Sequence, residues 1–179
     1  MSEILTYSKV MIDPVNPKAE LIRIQDIAHA LSMLCRANGH FRTFYSVGQH
    51  CVNCVEEAAA RGYSKRVQLA CLLHDASEAY LADITRPVKK ELPRYLEIEE
   101  PLQNLIWEKY LGSGLTPEEN KQVFQIDDEV LYHEFLALMD TPLGGPKPKM
   151  SSQLEFDFMG FCETEKAYLD WFQALMEIL

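Results

Sequence analysis

Basic residues are scarce in this sequence. Lysine and arginine number 17 against 27 aspartates and glutamates, a formal net charge of −10. That balance excludes a broad grip on a nucleic-acid backbone, which needs many Lys and Arg contacts. It leaves room for a small phosphorylated ligand, because one metal and two or three local cations neutralise a phosphate whatever the global charge. Long apolar runs are missing as well, and none approaches the roughly 18 residues of a membrane span. Met1-Ser2-Glu3-Ile4 lacks the basic-then-apolar order of a signal peptide. The five cysteines (Cys35, Cys51, Cys54, Cys71, Cys162) form no framework spacing, so reduced thiols and a cytoplasmic protein are expected. Cys51-x-x-Cys54 has no second pair to complete a zinc site and shares an apolar helix face with Val47, Val55 and Ala58, which points to core packing. No internal repeat or linker interrupts the 179 residues, 47% of them hydrophobic, so a single domain over 1–179 is expected.

What is present reads mainly as helix. Residues 4–10 and 20–24 suggest two short strands, with turn chemistry at Asp13-Pro14 and Asn16-Pro17 between them. Asp26 is the expected cap of a first helix, and Asn38-Gly39 its stop. Ser46 opens a helix over 47–61 whose inward stripe is Val47, His50, Cys51, Cys54, Val55 and Ala58, and Ser64 starts the helix that runs into His74-Asp75. Residues 83–90 read as a loop, with Pro87 disfavouring helix at Arg86. Amphipathic helices follow at about 95–111, 117–139 and 163–178. The second has capping-box chemistry at Thr116-Pro117-Glu118-Glu119. The third buries Ala167, Trp171, Leu175 and Ile178, and 140–153 is a loop by its Pro and Gly content. The fold class is therefore all-α, with a core over about 20–140 and a short N-terminal ribbon.

One stretch is costly unless it is functional. Val67 to Leu73 is apolar apart from Gln68 and leads straight into His74-Asp75-x-x-Glu78. Burying an unpaired carboxylate or imidazole costs several kcal/mol, and a cation satisfies all three groups together. His50 lies on the inward face of an earlier helix, and Asp127 shares the inward face of Val123 and Leu131, whereas Asp128 is about 100° further round. Two imidazoles and two carboxylates suit a divalent transition metal and leave positions open for water and substrate. Taken alone, a histidine on an apolar face is more often a hydrogen-bonded core residue, and a lone His-Asp pair is as often a plain helix end.

His50, then His74-Asp75, then Asp127 resembles the HD-domain metal-dependent phosphohydrolase superfamily. The run from His74 to Lys89 (His-Asp-Ala-Ser-Glu-Ala-Tyr-Leu-Ala-Asp-Ile-Thr-Arg-Pro-Val-Lys) is similar to the branch of bacterial 5′-deoxynucleotidases. Arg36-Ala37-Asn38-Gly39-His40 and Phe44-Tyr45-Ser46-Val47-Gly48-Gln49-His50 look closer to phage- and prophage-encoded HD hydrolases, in which the last ligand aspartate precedes a glutamate by seven, as Asp127 precedes Glu134. The resemblance covers roughly residues 20–140. It implies an HD-type helical bundle in which His50, His74, Asp75 and Asp127 hold one divalent ion (Mn, Co, Mg, Zn or Fe). Glu78 and Asp83 would be catalytic, and Arg36 would face the substrate phosphate. The nucleotidase branch has an aromatic after that arginine where this chain has Ala37, so a deoxyribose preference does not carry over. Arg42, Arg86 and Lys89 are further phosphate candidates, each of which also reads as a solvated surface cation. His29 and His133 fit packing or hydrogen bonding.

The expected function is release of phosphate from a nucleoside 5′-monophosphate by metal-activated water. A nucleoside triphosphate triphosphohydrolase, a nucleotide-binding regulatory module of phage type that interferes with replication without turnover, and a purely structural bundle are the alternatives. Acidic amphipathic helices such as 95–111 could equally pack on a second subunit as a homodimer.

Overall fold

The computed structural model describes residues 3–179. Two short strands, β1 (Ile4–Leu5) and β2 (Met11–Ile12), precede seven helices: α1 (Ile24–Met33), α2 (Val47–Ala60), α3 (Lys65–Leu73), α4 (Arg86–Lys89), α5 (Pro93–Leu111), α6 (Pro117–Met139) and α7 (Phe161–Met176). The chain is all-α with an N-terminal ribbon, as the periodicity predicts. No helix among the described residues is long and apolar enough to cross a membrane.

The ribbon forms within 4–12 and does not reach 20–24. Lys9 takes a left-handed conformation (φ 62°) and donates to the Thr6 carbonyl, so the strand folds back at once and Ile4 pairs with Ile12. Residues 19–21 are a 3-10 turn leading into α1. Asp26 does not cap that helix; Arg23 holds the N-cap position, and the buried Asp26 carboxylate accepts from Ser8 N (2.6 Å) and Ser8 Oγ (2.8 Å). It ties the ribbon to the bundle.

α1 ends at Met33, before Asn38-Gly39. The chain turns extended at Leu34, and Val47 and Arg36 donate backbone bonds to Leu34 and Tyr45, which draws the segment alongside the start of α2. A 3-10 turn over Arg36–Gly39 follows, with Ala37 and Asn38 both at positive φ. A left-handed alanine costs about 1–2 kcal/mol, and such strain is concentrated at functional sites.

α2 is buried nearly all round. Its inward stripe is the predicted one. Its other face carries Gln49, Asn53 and Glu57 at i, i+4 and i+8, and these grip the backbone of the segment after α6. Gln49 donates to the Glu155 and Asp157 carbonyls, Asn53 exchanges bonds with Glu155, and Glu57 accepts from Ser151 N and Ser152 N and Oγ at 2.7–3.0 Å. Residues 140–153 are a loop as read, and from Ser151 to Asp157 the irregular chain forms a strap bound along α2. At Gly48 an added Cβ would lie 3.1 Å from backbone atoms of Leu31 and Ser32 and from Thr164, so glycine permits the close meeting of α1, α2 and α7.

Helix α3 stops at Leu73, one residue earlier than the apolar run into His74 suggests, and a 3-10 turn over Ala76–Ala79 follows. The last carbonyls of a helix have no intrahelical partner. Here the last three each find a side chain: His74 Nδ1 meets Cys71 O (2.7 Å), Tyr168 Oη donates to Leu72 O (2.8 Å), and Gln103 Nε2 donates to Leu73 O (2.8 Å). Gln103 Oε1 also accepts from Ser77 N (3.0 Å), so one amide from α5 bridges both sides of the break.

Residues 86–89 form a turn of helix, not a loop. Pro87 occupies the first turn, where its missing N–H breaks no bond. α5 begins two residues before the predicted start and carries Pro101 in its interior. α6 matches its prediction at both ends: the Thr116–Glu119 capping box opens it and Asp140, left-handed, closes it. α7 lies two residues earlier than predicted. Thr164, Tyr168 and Leu175 are buried, Trp171 and Ala167 are half-buried, and Ile178 lies past the helix end, exposed. α7 packs across α1, α2 and α3, so the C-terminal helix belongs to the main core.

Candidate metal centre and cavity

Three elements converge at the end of α3. α2 supplies His50, fully buried; the α3 terminus supplies His74 and Asp75; α6 supplies Asp127 and, two turns on, Glu134. Each imidazole has its Nδ1 engaged, His50 with Glu134 Oε1 (2.5 Å) and His74 with the Cys71 carbonyl. Both Nε2 atoms therefore face inward, 3.2 Å apart. His50 Nε2 lies 3.2 Å from Asp127 Oδ1 and 3.9 Å from Asp75 Oδ2. His74 Nε2 lies 3.3 Å from Asp75 Oδ2 and 3.8 Å from Asp127 Oδ1. Metal bonds of about 2.0–2.2 Å separate neighbouring donor atoms by roughly 3–3.5 Å, so this donor set fits a divalent ion. Fixing Nδ1 through a carboxylate or carbonyl is also how ligating imidazoles are oriented.

The charges at the centre keep both carboxylates ionised. Burial alone would raise the Asp75 and Asp127 carboxyls, yet the histidines and Arg36 hold both well below the ordinary carboxylate range. Burial and Arg36 oppose protonation of His50, but Glu134 and Asp127 outweigh them and raise its pKa. His74 is raised further, burial being overcome chiefly by Asp75.

Cysteines also reach the centre: His50, Cys54 and His74 form one group of potential ligands, and Cys51, His74 and Asp75 another. Cys54 Sγ is 3.6 Å from His50 Nε2 and 3.9 Å from Nδ1. Near-equidistance places it beside the ring, away from the Nε2 lone pair. Burial pushes the Cys51 thiol up to about 11 and raises Cys54 well above the ordinary thiol range, so without an ion both stay protonated.

Arg36 is 8% exposed and spans the site. Its Nε donates to Glu134 Oε2 (2.9 Å), Nη1 to Asp75 Oδ2 (3.3 Å) and Nη2 to Asp127 Oδ1 (3.5 Å). Glu134 thus holds His50 with one oxygen and Arg36 with the other, and despite its burial these partners lower its pKa to about 2. The sequence shows Glu134 only as the seventh residue after Asp127; that interval, two helical turns on one face, was the available signal.

Beyond the donors opens a cavity of about 840 Å³ between α4, α5 and α6. Arg36, His74, Asp75, Glu78, Asp83, Arg86, Lys89 and Asp127 line it. Glu78 comes from the 3-10 turn, not from one turn further along α3 as expected. Lys89 donates to its Oε1 (3.2 Å) and also to Glu99 (2.7 Å), while Glu78 Oε2 is buried with no partner. Burial, then Asp75 and Asp83, raises the Glu78 pKa well above the usual range. Asp83 is half-buried and raised too, chiefly by burial. Arg86, half-exposed, donates to Asp127 Oδ2 (2.6 Å) and pairs with Asp128, which is exposed. Arg42 stands apart: it is exposed, bound to Asp140 and the Ala137 carbonyl at the end of α6, and does not line the cavity. His29 pairs with Glu165 and stacks on Tyr7, and His133 meets the Pro148 carbonyl.

No family model matches the chain. It is similar to the uncharacterized protein YfdR of Escherichia coli strain K12, 41% identical over 119 residues, covering 65% of this chain and 61% of the relative. It is also similar to an uncharacterized protein of Rhodobacter capsulatus, 34% identical over 125 residues, covering 66% of this chain and 63% of that relative. The chain therefore spans a little over three fifths of the length of each of these relatives.

Proposed function

We propose that the protein is a metal-dependent phosphohydrolase of HD type that releases phosphate from a nucleoside 5′-monophosphate. The observation that carries this reading is the convergence of His50 Nε2, His74 Nε2, Asp75 and Asp127 beside a cavity that also holds the buried Glu78, whose carboxyl burial raises well above the usual range. A divalent ion held by those four residues supplies Lewis acidity towards a phosphoryl oxygen and acidifies a water. Around it the chain's own groups have distinct tasks. Arg36, kept charged by Glu134, Asp75, Asp127 and Asp83, orients the phosphoryl oxygens. Asp83 takes the proton of the attacking water. As the water oxygen bonds to phosphorus, the ester P–O bond breaks and Glu78 gives its proton to the departing nucleoside oxygen.

Charge favours a monophosphate over a triphosphate. With Glu78 carrying its proton, four cations (Arg36, Arg86, Lys89, Lys90) face five carboxylates (Asp75, Asp83, Glu99, Glu100, Asp127) across the cavity, and one divalent ion brings that lining to only about one net positive charge, too little for a triphosphate. The test is phosphate release from mono-, di- and triphosphates with Mn²⁺, Co²⁺, Mg²⁺, Zn²⁺ or Fe²⁺. Release from monophosphates, lost in Asp75→Ala, is expected; activity unchanged in that variant overturns the site. Intact triphosphate as product would indicate the triphosphohydrolase alternative, and calorimetric nucleotide binding without turnover the regulatory one.

A further inference from the structure

None of the four residues of α4 is buried, so packing does not fix its place. Ion pairs do. Lys89 joins Glu78 and Glu99. Arg86, the first residue of α4, commits both Nη atoms to α6: Nη2 donates to Asp127 Oδ2 (2.6 Å) and Nη1 to Asp128 Oδ1. A guanidinium presents its donors in a rigid plane, so two carboxylates side by side fix its orientation. Asp127 and Asp128 are consecutive on α6, about 100° apart, which lets them flank one cation. The Asp128 side chain is 60% exposed and lies outside the cavity lining. The two oxygens of Asp127 therefore have different surroundings. Oδ1 lies 3.2 Å from His50 Nε2 and 3.8 Å from His74 Nε2, whereas Oδ2 is taken by Arg86. A carboxylate with both oxygens free can chelate an ion, and one with an oxygen held elsewhere binds through the other. With two imidazoles and Asp75, a single Asp127 oxygen completes four donors, and an octahedral ion then keeps about two places open.

We propose that Arg86 is a positioning residue of the metal centre: anchored by Asp128, it restricts Asp127 to one donor oxygen and keeps open the place that the second would fill. Arg86 thus serves a ligand and not, as its type suggests, the substrate phosphate. The proposal rests on the metal-centre part of the phosphohydrolase reading. Mn²⁺ tests it on the full chain without turnover, with binding followed by the EPR signal of the free ion and bound water by solvent proton relaxation. Arg86→Ala should bind Mn²⁺ at least as tightly as the native chain, because a donor is gained and a neighbouring cation lost. At saturation its inner-sphere relaxation should fall about 2-fold, the change from about two bound waters to one. Arg86→Lys, which keeps a donor for Oδ2, should restore most of it. If Arg86→Ala folds poorly, Asp128→Ala leaves Arg86 without its anchor and should lower the relaxation by less. Unchanged relaxation in the variant that folds overturns the proposal, as does weaker Mn²⁺ binding with native relaxation, the result of a merely structural role. A native chain that binds no Mn²⁺ overturns it together with the metal centre, whereas the 2-fold fall without hydrolysis of any phosphate ester sinks the phosphohydrolase reading alone.

Discussion

At Glu134 one carboxylate serves two side chains, His50 through Oε1 and Arg36 through Oε2. It touches neither the cavity nor a reacting atom, so it is a positioning residue. Glu134→Gln should weaken Mn²⁺ binding about 10–100-fold by calorimetry, the range for groups that orient ligating histidines; unchanged affinity would show that His50 is held by packing alone. Glu78 makes a different prediction. Its carboxyl acts while protonated, and burial with Asp75 and Asp83 raises its pKa. Activity through it therefore falls as pH rises past that raised value. Glu78→Gln should lower kcat about 10²–10⁴-fold and abolish the alkaline limb of the kcat/KM profile. A variant profile that keeps the limb assigns it to another group. His50, His74, Asp75 and Asp127 were legible in the sequence because polar residues on apolar faces need a reason. The resemblance singled out Arg36, whereas Arg42 read equally as a phosphate contact or a surface cation; the fold shows the first buried at the centre and the second outside.

The end of α3 shows how an element can depend on residues far along the chain. Gln103 satisfies Leu73 O and Ser77 N together, so Gln103→Leu strands two buried backbone groups. Each costs about 1–3 kcal/mol, and urea unfolding should register a loss of roughly 2–4 kcal/mol, against about 1 kcal/mol for Tyr168→Phe. Equal effects would mean the break is held by packing instead. The strap over α2 gives a pH-dependent case. Burial opposes ionisation of Glu57, but the Ser152 and Ser151 donors dominate and its folded pKa lies below the usual glutamate value. Its contribution is present above the unfolded pKa of about 4.3 and is lost as pH falls through the lower folded value. Limited proteolysis between residues 140 and 158 should accelerate in acid, and Glu57→Gln should show that acceleration already at neutral pH. The boundaries of α6 were readable because the capping box is local. The end of α3 was not, because its caps come from α5 and α7.

For the molecule as a whole, the centre joins α2, α3 and α6 through two imidazoles and two ionised carboxylates. A ligand that binds only the folded state stabilises it by mass action, about 2.7 kcal/mol at 100 times its Kd. Mn²⁺ at that excess should raise Tm, and a chelator should reverse it. A Tm indifferent to both would favour a metal-free bundle in which Arg36 alone balances the carboxylates. The net charge of −10 contrasts with the four cations, Arg36, Arg86, Lys89 and Lys90, that line the cavity.

The sequence by itself determined the helical class, the starts of α2, α3 and α6 and the four candidate ligands, since caps, turns and 3.6-residue periodicity act over a few neighbouring residues. Only the tertiary structure decided where α3 breaks, how the segment after α6 covers α2, that Glu134 joins His50 to Arg36, and that Arg86 joins α4 to Asp127. Those features depend on which side chains meet across tens of residues, and pairing over such separations leaves no periodic trace in the chain.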